Sequence, residues 1–282
     1  MANGVNLKKG NVVSEIVGEH IFFRKQIFKL AKSDLIKTYR GAALGWLWAV
    51  IKPSVMIFVY WFTFTVGGIR KSGDIFNSTG DSFPFFLWLL AGIIPWFFIS
   101  EMLNQGTDCI RRYSYLVTKM NFPVSTIPTF VALSKICVNI ILIGITVLIF
   151  CLFGKFPDIY YLQLPFYILM MFLFSTMLTL FCATLSVISK DFANLVRSFV
   201  TAIFWLSAII WDSSAINNVW FSRFLRVNPV TYITTGFRNT FVYKTWFFED
   251  KTTIYFFVVL TVITALAFVV YNKVRKDIPD VL

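Results

Sequence analysis

This sequence contains little charge, a single histidine and no long polar stretch. Charged residues make up 14% of its 282 residues, whereas soluble domains carry about 25%. A soluble core could not absorb 33 phenylalanines without leaving large apolar patches on its surface. The shortage of charge therefore excludes a soluble protein and predicts an integral membrane protein.

Signatures of catalysis are also missing. The chain has no G-x-x-x-x-G-K-[ST] phosphate-binding loop, no H-E-x-x-H and no G-x-S-x-G. The lone histidine, His20, has no evident catalytic partner, and the close acidic pairs at 249/250 and 277/280 fall in a predicted loop and tail. The four cysteines form no C-x-x-C pair and are interpreted as small hydrophobes. We therefore expect no catalytic residue, no metal site and no cofactor bound by this chain.

Long apolar runs dominate what is present. A helix needs about 20 apolar residues to cross the hydrocarbon core, and six segments meet or nearly meet this length. They predict an all-α membrane domain over residues 44–271, with a segment 1–43 before it and a tail 272–282 after it. The six predicted spans are Leu44–Ile69, Phe83–Leu103, Ser134–Phe153, Leu162–Ile188, Val196–Trp211 and Thr252–Tyr271.

The distribution of lysine and arginine predicts the orientation. With the N-terminus inside, the inner segments hold 15 basic residues and the outer segments 8. Eight basic residues precede the first span: Lys8, Lys9, Arg24, Lys25, Lys29, Lys32, Lys37 and Arg40. We therefore attribute the net charge of +12 to anionic lipid rather than to nucleic acid, and expect both termini in the cytoplasm.

Two segments outside the spans have apolar patterns of their own. Residues Val12–Tyr39 place apolar side chains at three- and four-residue steps, which predicts an amphipathic helix along the inner membrane surface. The outer loop Asp212–Lys251 is rich in aromatic residues and is expected to form short helices that dip into the outer leaflet or close over a pathway.

Ionisable residues inside spans are costly unless they are paired or solvated. Lys52 lies near the start of span one and Glu101 near the inner end of span two. The two residues either pair at similar depth, or Lys52 extends its ammonium to the inner headgroups. At the inner mouth of span five, Arg197 is expected either to contact Asp191 or to anchor at the interface.

A chain with six spans and no reactive site is expected to be a transport subunit. It shows neither the internal repeat nor the midplane charges of many secondary transporters. Its energy is therefore expected to come from a partner protein.

Six stretches, in order along the chain, resemble the polysaccharide-exporting permeases of the type-2 ABC exporter class. They include "PFFLWLLAGIIPWFF" and "LVTKMNFPVSTIPTF", and together they are Tyr39–Phe64, Pro84–Phe98, Leu116–Phe130, Ser189–Val196, Val227–Phe241 and Asp277–Leu282. Within that class, "VYWFTF", "KMNFPVS-IP" and "YYLQLP" are closest to the wall teichoic acid translocation permeases of Gram-positive bacteria. Lys190 stands where the class has arginine, and Lys52 where an uncharged residue is expected.

The resemblance implies a permease in the plasma membrane of a bacterium. It implies a homodimer of this chain bound to two copies of an ABC ATPase, which would hold the ATP and Mg²⁺. The cargo would be a polymer on an undecaprenyl diphosphate lipid, most closely wall teichoic acid, moved from the cytoplasmic to the outer side. The same class with O-antigen, capsule, lipid or drug cargo is an alternative, and an ion-coupled transporter or a membrane enzyme is a further one.

The topology and the resemblance together assign candidate site residues. Arg111–Phe122 is expected to be a short coupling helix that docks on the ATPase, ended by Pro123 and with Phe122 as its anchor; a simple turn is the alternative. The expected ATPase contacts are Arg111, Arg112, Tyr115, Lys119, Phe122, Pro123, Lys190 and Asp191. The expected pathway and gate residues are Trp220, Arg223, Arg226, Asn228, Pro229, Tyr232, Arg238 and Lys244. The basic residues of the pathway set either guide a polyanion or cap helices and anchor to headgroups.

Overall fold

A computed structural model describes residues 12–68, 74–77, 80–120, 122–212 and 218–281. A few positions used above lie outside the described residues: Lys8, Lys9, Ile69, Arg70, Lys71, Asn121, Leu282 and the side chain of Asp280.

Helices form almost all of the regular structure. The α-helices in chain order are α1 Val12–Phe22, α2 Arg24–Tyr39, α3 Trp48–Thr65, α4 Phe85–Glu101, α5 Cys109–Arg112, α6 Ser114–Met120, α7 Ile127–Leu152, α8 Leu164–Ile188, α9 Lys190–Leu206, α10 Val219–Val227, α11 Pro229–Arg238, α12 Thr252–Val274 and α13 Ile278–Val281. Two π-helical turns extend α4 and α11, over Met102–Gly106 and Asn239–Tyr243. A two-residue antiparallel ladder pairs β1 Ile75–Phe76 with β2 Ser82–Phe83.

Five helical segments in the described ranges are long and apolar enough to cross a membrane. They correspond to predicted spans one, two, three, four and six, and run over Gly45–Thr65, Phe85–Gly106, Val124–Leu152, Ile159–Ile188 and Thr252–Val274. The third begins earlier than the sequence predicted, because Pro128 lies in the first turn of α7, where proline is tolerated. A mostly helical chain is therefore confirmed, and its five long apolar helices are consistent with an α-helical membrane protein.

The bounds predicted for span five, Val196–Trp211, are wrong. Its helix, α9, begins at Lys190 and ends at Leu206, and Ala208 beyond it has a positive φ of 51°. Residues 190–194, which include the polar Lys190, Asp191 and Asn194, start the helix instead of preceding it, since Asp191 in the first turn suits the helix dipole. Seventeen residues span roughly 26 Å, short of a full crossing, so the count of six spans stays a prediction.

The helices pack around α4. In the apolar segments that could cross a membrane, 78% of the α4 segment is buried, compared with 11% for α3 and 17% for α12. The main packing pairs are α8 with α12, α2 with α7, and α4 with both α7 and α11. We call the end of the bundle that carries α1, α2, α5 and α6 the proximal end, and the end that carries α10 and α11 the distal end. The outer faces of α3 and α12 are left for lipid or for another protein.

The N-terminal amphipathic segment is two helices and not one. The helix is interrupted at Phe23, between α1 and α2. In α2 the buried side chains are Ile27, Ala31 and Asp34, one stripe at steps of four and three. This stripe packs against α7, so α2 is attached to the bundle along its apolar face.

The single coupling helix predicted over Arg111–Phe122 is wrong. The segment forms α5 and α6, separated by Tyr113, whose φ and ψ of −107° and 23° interrupt the helix. Tyr113 points inward, is 6% exposed, and its hydroxyl donates a hydrogen bond to the Asp34 carboxylate of α2. Burial, and next this hydrogen bond and the charge of Asp34, raise the pKa of Tyr113. A contact 79 residues away in the chain thus accounts for the break.

Candidate functional site

A cleft of about 630 Å³ opens in the proximal half of the bundle. Its walls come from the end of α2, the first half of α3, the last turns of α4 and the middle of α7. The lining residues with polar groups are Thr38, Tyr39, Trp48, Lys52, Ser100, Glu101, Asn104, Gln105, Lys135 and Asn139. Ligand sites usually have volumes of about 300–1,000 Å³, so this cleft has the size and polarity of a binding site.

The inner wall of the cleft holds a polar cluster of three side chains. The Lys135 ammonium lies 3.4 Å from a Glu101 carboxylate oxygen and donates to Gln105 Oε1 at 2.9 Å. Gln105 in turn donates from its Nε2 to the same Glu101 carboxylate. Lys135 is 6% exposed, and a lysine buried in a membrane span needs such partners.

The π-helical turn Met102–Gly106 positions this cluster. Such turns are rare and occur frequently at functional sites. Gly106 closes the turn against α8: a Cβ there would lie 2.6 Å from Thr179 Cγ2. The turn therefore needs glycine at 106 in order to pack while it presents Gln105 beside Glu101.

The predicted pair of Lys52 and Glu101 is not formed. Glu101 pairs with Lys135, which the sequence analysis overlooked. Lys52 is exposed on α3, with its ammonium 5.9 Å from the centre of the Trp48 ring. Lys52 and Glu101 nevertheless line the same cleft, so the sequence identified two of its charged residues but not how they are paired.

Asn139 adds an unused acceptor to the cleft. Its Nδ2 donates to the Ile94 carbonyl at 2.9 Å, and the side chain is 2% exposed. Its Oδ1 is buried without a hydrogen-bond partner in the structure. Buried polar atoms are nearly always satisfied, so this oxygen is an exception among the described residues that line the cleft.

At the proximal surface, α6 presents an exposed face. Tyr115 is 39% exposed, and Thr118 and Lys119 are exposed beside it, at the spacing of one helix face. Arg112 is exposed in α5 and donates to the Gln105 carbonyl at 3.1 Å, whereas Arg111 donates to the Val187 carbonyl of α8 at 3.0 Å. Arg112, Tyr115 and Lys119 are thus accessible to a partner, while Arg111 fastens α5 to the bundle.

Phe122, predicted as the anchor in the ATPase, is instead packed inside this chain. It is 8% exposed, and its ring lies edge-on to Phe23 at 5.3 Å between centroids. Pro123, in extended conformation, follows and leads into a 3₁₀ turn, Val124–Thr126. Phe122 thus packs against the residue that separates α1 from α2.

Further contacts fasten α1 to the same segment. His20 contacts the Ile16 carbonyl through Nδ1 and the Thr129 hydroxyl through Nε2, each at 2.8 Å. The Ser125 hydroxyl donates to the Glu19 carboxylate. Burial raises the pKa of Glu19, the Ser125 hydrogen bond opposes this, and the charge of Glu15 adds to it. The single histidine of the chain therefore helps to hold the amphipathic segment against the start of α7.

Lys190 and Asp191 are exposed at the start of α9, where a partner has access to them. The predicted contact of Arg197 with Asp191 is wrong: Arg197 pairs with Asp108 and also donates to Asn194 at 3.2 Å. This ion pair joins α9 to the turn before α5. The start of α9 therefore lies at the proximal end, close to α5.

Arg238, predicted to face the pathway, is buried with 3% exposure. Its guanidinium donates to the carbonyls of Ala208, at 2.9 Å, and Ile209, just beyond α9. The guanidinium also lies over the Trp88 ring of α4, with Cζ 3.4 Å from the centroid. Gly92 makes room for it, since a Cβ there would lie 2.4 Å from Arg238 Nη2. Arg238 is thus a clamp that holds the distal end of α9 against α4.

Asn228, Pro229 and Tyr232 have structural contacts around α11. Asn228 caps the helix by accepting from the Val230 amide at 2.9 Å, and its Nδ2 donates to Ser207 at 2.9 Å. Pro229 occupies the first turn of α11, as proline often does. Tyr232 is 3% exposed and stacks on Phe256 at 4.6 Å between centroids. These residues make structural contacts at the distal end, and their role in a pathway stays a prediction.

The other predicted gate residues divide into two groups. Trp220, Arg223 and Arg226 are exposed on α10, with the Arg223 guanidinium 5.4 Å from the centre of the Trp220 ring. Lys244 instead joins the distal loops by pairing with Asp158 at 3.0 Å and Asp81 at 3.6 Å. Of these predicted gate residues, the three on α10 are exposed at the distal surface.

Lys135, Gln105 and Asn139 were missed by the sequence analysis, although part of the signal was present. Lys135 and Asn139 interrupt an apolar run at a spacing of four, which places both on one face of a helix. Polar residues inside a span favour a functional role. Their partners on α4 could not be known before the helices were packed.

Comparison with known proteins agrees with this architecture. Residues 25–242 match the ABC-2 type transporter family, and the chain belongs to that family. Two relatives are named O-antigen export system permease protein RfbA. The one from Myxococcus xanthus is 26% identical over 80% of this chain and 84% of its own length. The one from Klebsiella pneumoniae is 21% identical over 90% of this chain and 93% of its own length.

Proposed function

We propose that this chain is the permease subunit of an ATP-driven exporter that moves a lipid-linked polysaccharide from the cytoplasmic to the outer side of the bacterial plasma membrane. The observation that carries this proposal is the similarity, over most of both chains, to two permeases named for O-antigen export. Those names favour a polysaccharide of the O-antigen type over the teichoic acid expected from the sequence.

A separate ATPase supplies the energy in this proposal. The ATPase docks on the exposed side of α5 and α6 of this chain and on the start of α9. The residues that form this surface are Arg112, Tyr115, Lys119, Lys190 and Asp191. The Arg197–Asp108 pair joins these two regions. A partner that pushes on α6 therefore also displaces α9. We further propose that two copies of this chain meet, as the resemblance to the type-2 exporter permeases implies.

Six crossings with both termini in the cytoplasm fit the contacts. Arg275 at the end of α12 pairs with Glu15 of α1 at 2.6 Å, so α1 and the end of α12 meet at the proximal end. Although α9 is short, it runs from Asp108 near α5 to Arg238 at the distal end. The excess of basic residues in the proximal segments supports a cytoplasmic position for that end.

Depletion of the chain in its source bacterium tests the function and the cargo together. Polymer on its lipid carrier should accumulate inside the cell and disappear from the surface, and re-expression of the intact chain should reverse both. Organic extraction followed by sugar analysis distinguishes a polysaccharide from a polyol phosphate. A polyol phosphate would restore the teichoic acid assignment, and unchanged levels of every lipid-linked polymer would refute the exporter.

A further inference from the structure

We infer that the proximal cleft is a binding site for the anionic phosphate headgroup of a membrane lipid, with Lys52 and Lys135 as the cations that hold it. The identification of that lipid as the polymer's carrier rests on the function proposed above. The site itself is argued from the charges and unused hydrogen-bonding groups of the cleft.

The charges in the cleft favour an anion. Glu101 is already matched by Lys135 at 3.4 Å, so the ammonium of Lys52 is the cation in excess. The Lys52 ammonium lies 5.9 Å from the centre of the Trp48 ring, and among the described residues no salt bridge involves it. A cation on a membrane-spanning helix is costly without an anion or water, and a lipid phosphate at this depth would supply the anion.

The hydrogen-bonding groups also leave room for a ligand. An ammonium group has three N–H donors, and the contacts to Glu101 and Gln105 use two of those of Lys135. The third donor suits a phosphate oxygen.

The position of the cleft suits a lipid rather than a soluble anion. One wall is α3, whose apolar surface is largely exposed, and Met56 lies deeper along the same wall. Tyr39 and Trp48 lie at the proximal wall, the kind of aromatic side chain that occupies the membrane interface. A headgroup in the cleft could therefore keep its hydrocarbon chain in the bilayer beside α3.

Lipid binding to the purified full-length chain tests this inference. The chain is placed in phosphatidylcholine nanodiscs, and its affinities for undecaprenyl diphosphate and for phosphatidylglycerol are measured by native mass spectrometry. Lys52→Gln should weaken binding about tenfold, the effect of one charge-assisted hydrogen bond. Lys52→Arg should retain most of it. Lys32→Gln, which removes an exposed charge of α2 outside the cleft, should leave it unchanged.

The two lipids distinguish the source of the phosphate. Loss of undecaprenyl diphosphate binding alone in Lys52→Gln identifies the carrier lipid as the occupant. An equal loss for both lipids supports a site for any anionic headgroup. Unchanged binding by Lys52→Gln, or an equal loss in Lys32→Gln, would overturn the site. Because this assay needs neither ATPase nor polymer, its outcome is independent of the depletion experiment.

Discussion

Replacing Gly92 by alanine should loosen the distal end of the bundle without removing any existing group. The new Cβ would lie 2.4 Å from Arg238 Nη2 and 2.6 Å from Cζ, whereas carbon atoms in contact are about 3.5–4.0 Å apart. The guanidinium must therefore move by about 1 Å. That movement breaks its hydrogen bonds to the carbonyls of Ala208 and Ile209, both of which lie in buried residues.

The expected loss of stability follows from those contacts. A hydrogen bond from a charged donor contributes about 1.5–3 kcal/mol, so losing both bonds costs about 3 kcal/mol at the lower value. Alanine recovers up to about 1 kcal/mol of helix propensity. The net destabilisation is then about 2 kcal/mol, which corresponds to a fall in Tm of about 4–8 °C.

Gly144→Ala is the matched control for this experiment. Gly144 also lies inside a membrane-spanning helix, but a Cβ there would have nothing within 4 Å. This variant should be as stable as the wild type or up to about 1 kcal/mol more stable. Thermal unfolding of the two detergent-solubilised variants gives the comparison. Equal melting temperatures would refute the clamp, as would a full additional loss when Gly92→Ala is combined with Arg238→Met, because a shared contact requires non-additivity.

Three other predictions concern the proximal end. Lys119→Glu should lower export per ATP hydrolysed about tenfold, because it reverses a charge on the exposed side of α6. The control Lys273→Glu, at the same end of the bundle, should leave this ratio unchanged. Equal effects of the two substitutions would contradict the docking role of α6. Phe122→Ala should lower the free energy of unfolding by about 3 kcal/mol, because the ring is buried against Phe23. Thermal melting measures this loss. An unchanged Tm together with ATPase activity uncoupled from export would instead support Phe122 as the anchor in the partner. Glu19 has a pKa raised above its ordinary value of about 4.5, so the folded state binds the extra proton and stability should fall as pH rises through the window above 4.5. Glu19→Gln should flatten that part of the Tm-against-pH curve, and an identical slope in both proteins would contradict the pKa assignment.

Most of the fold could be predicted because apolar length is a local property of a chain. Five predicted spans match helices in the structure, with bounds shifted by a few residues at most ends. The failures occurred where a helix boundary depends on another element. Tyr113 interrupts the coupling segment to reach Asp34. Helix α9 ends at Leu206, just before Ala208 and Ile209, whose carbonyl groups accept hydrogen bonds from Arg238.

The candidate site was less predictable for the same reason. Lys52 and Glu101 could be recognised as charges inside spans, but the partner of Glu101 is Lys135, 34 residues away. Phe122 was noticed because it precedes a proline, and this position does not indicate which surface its ring will contact. Side-chain pairing across helices is a property of packing, so hydropathy and spacing alone do not contain it.

The contact between Glu15 and Arg275 makes the described chain nearly circular, with its first and last long helices joined by an ion pair of 2.6 Å. Fluorescent labels at exposed neighbours of this pair, such as Ser14 and Asn272, would report on the separation of the two ends. Such labels lie outside both the lipid cleft and the exposed side of α6. The distance between labels at these two positions, followed in single complexes, would therefore report the timing of the transport cycle.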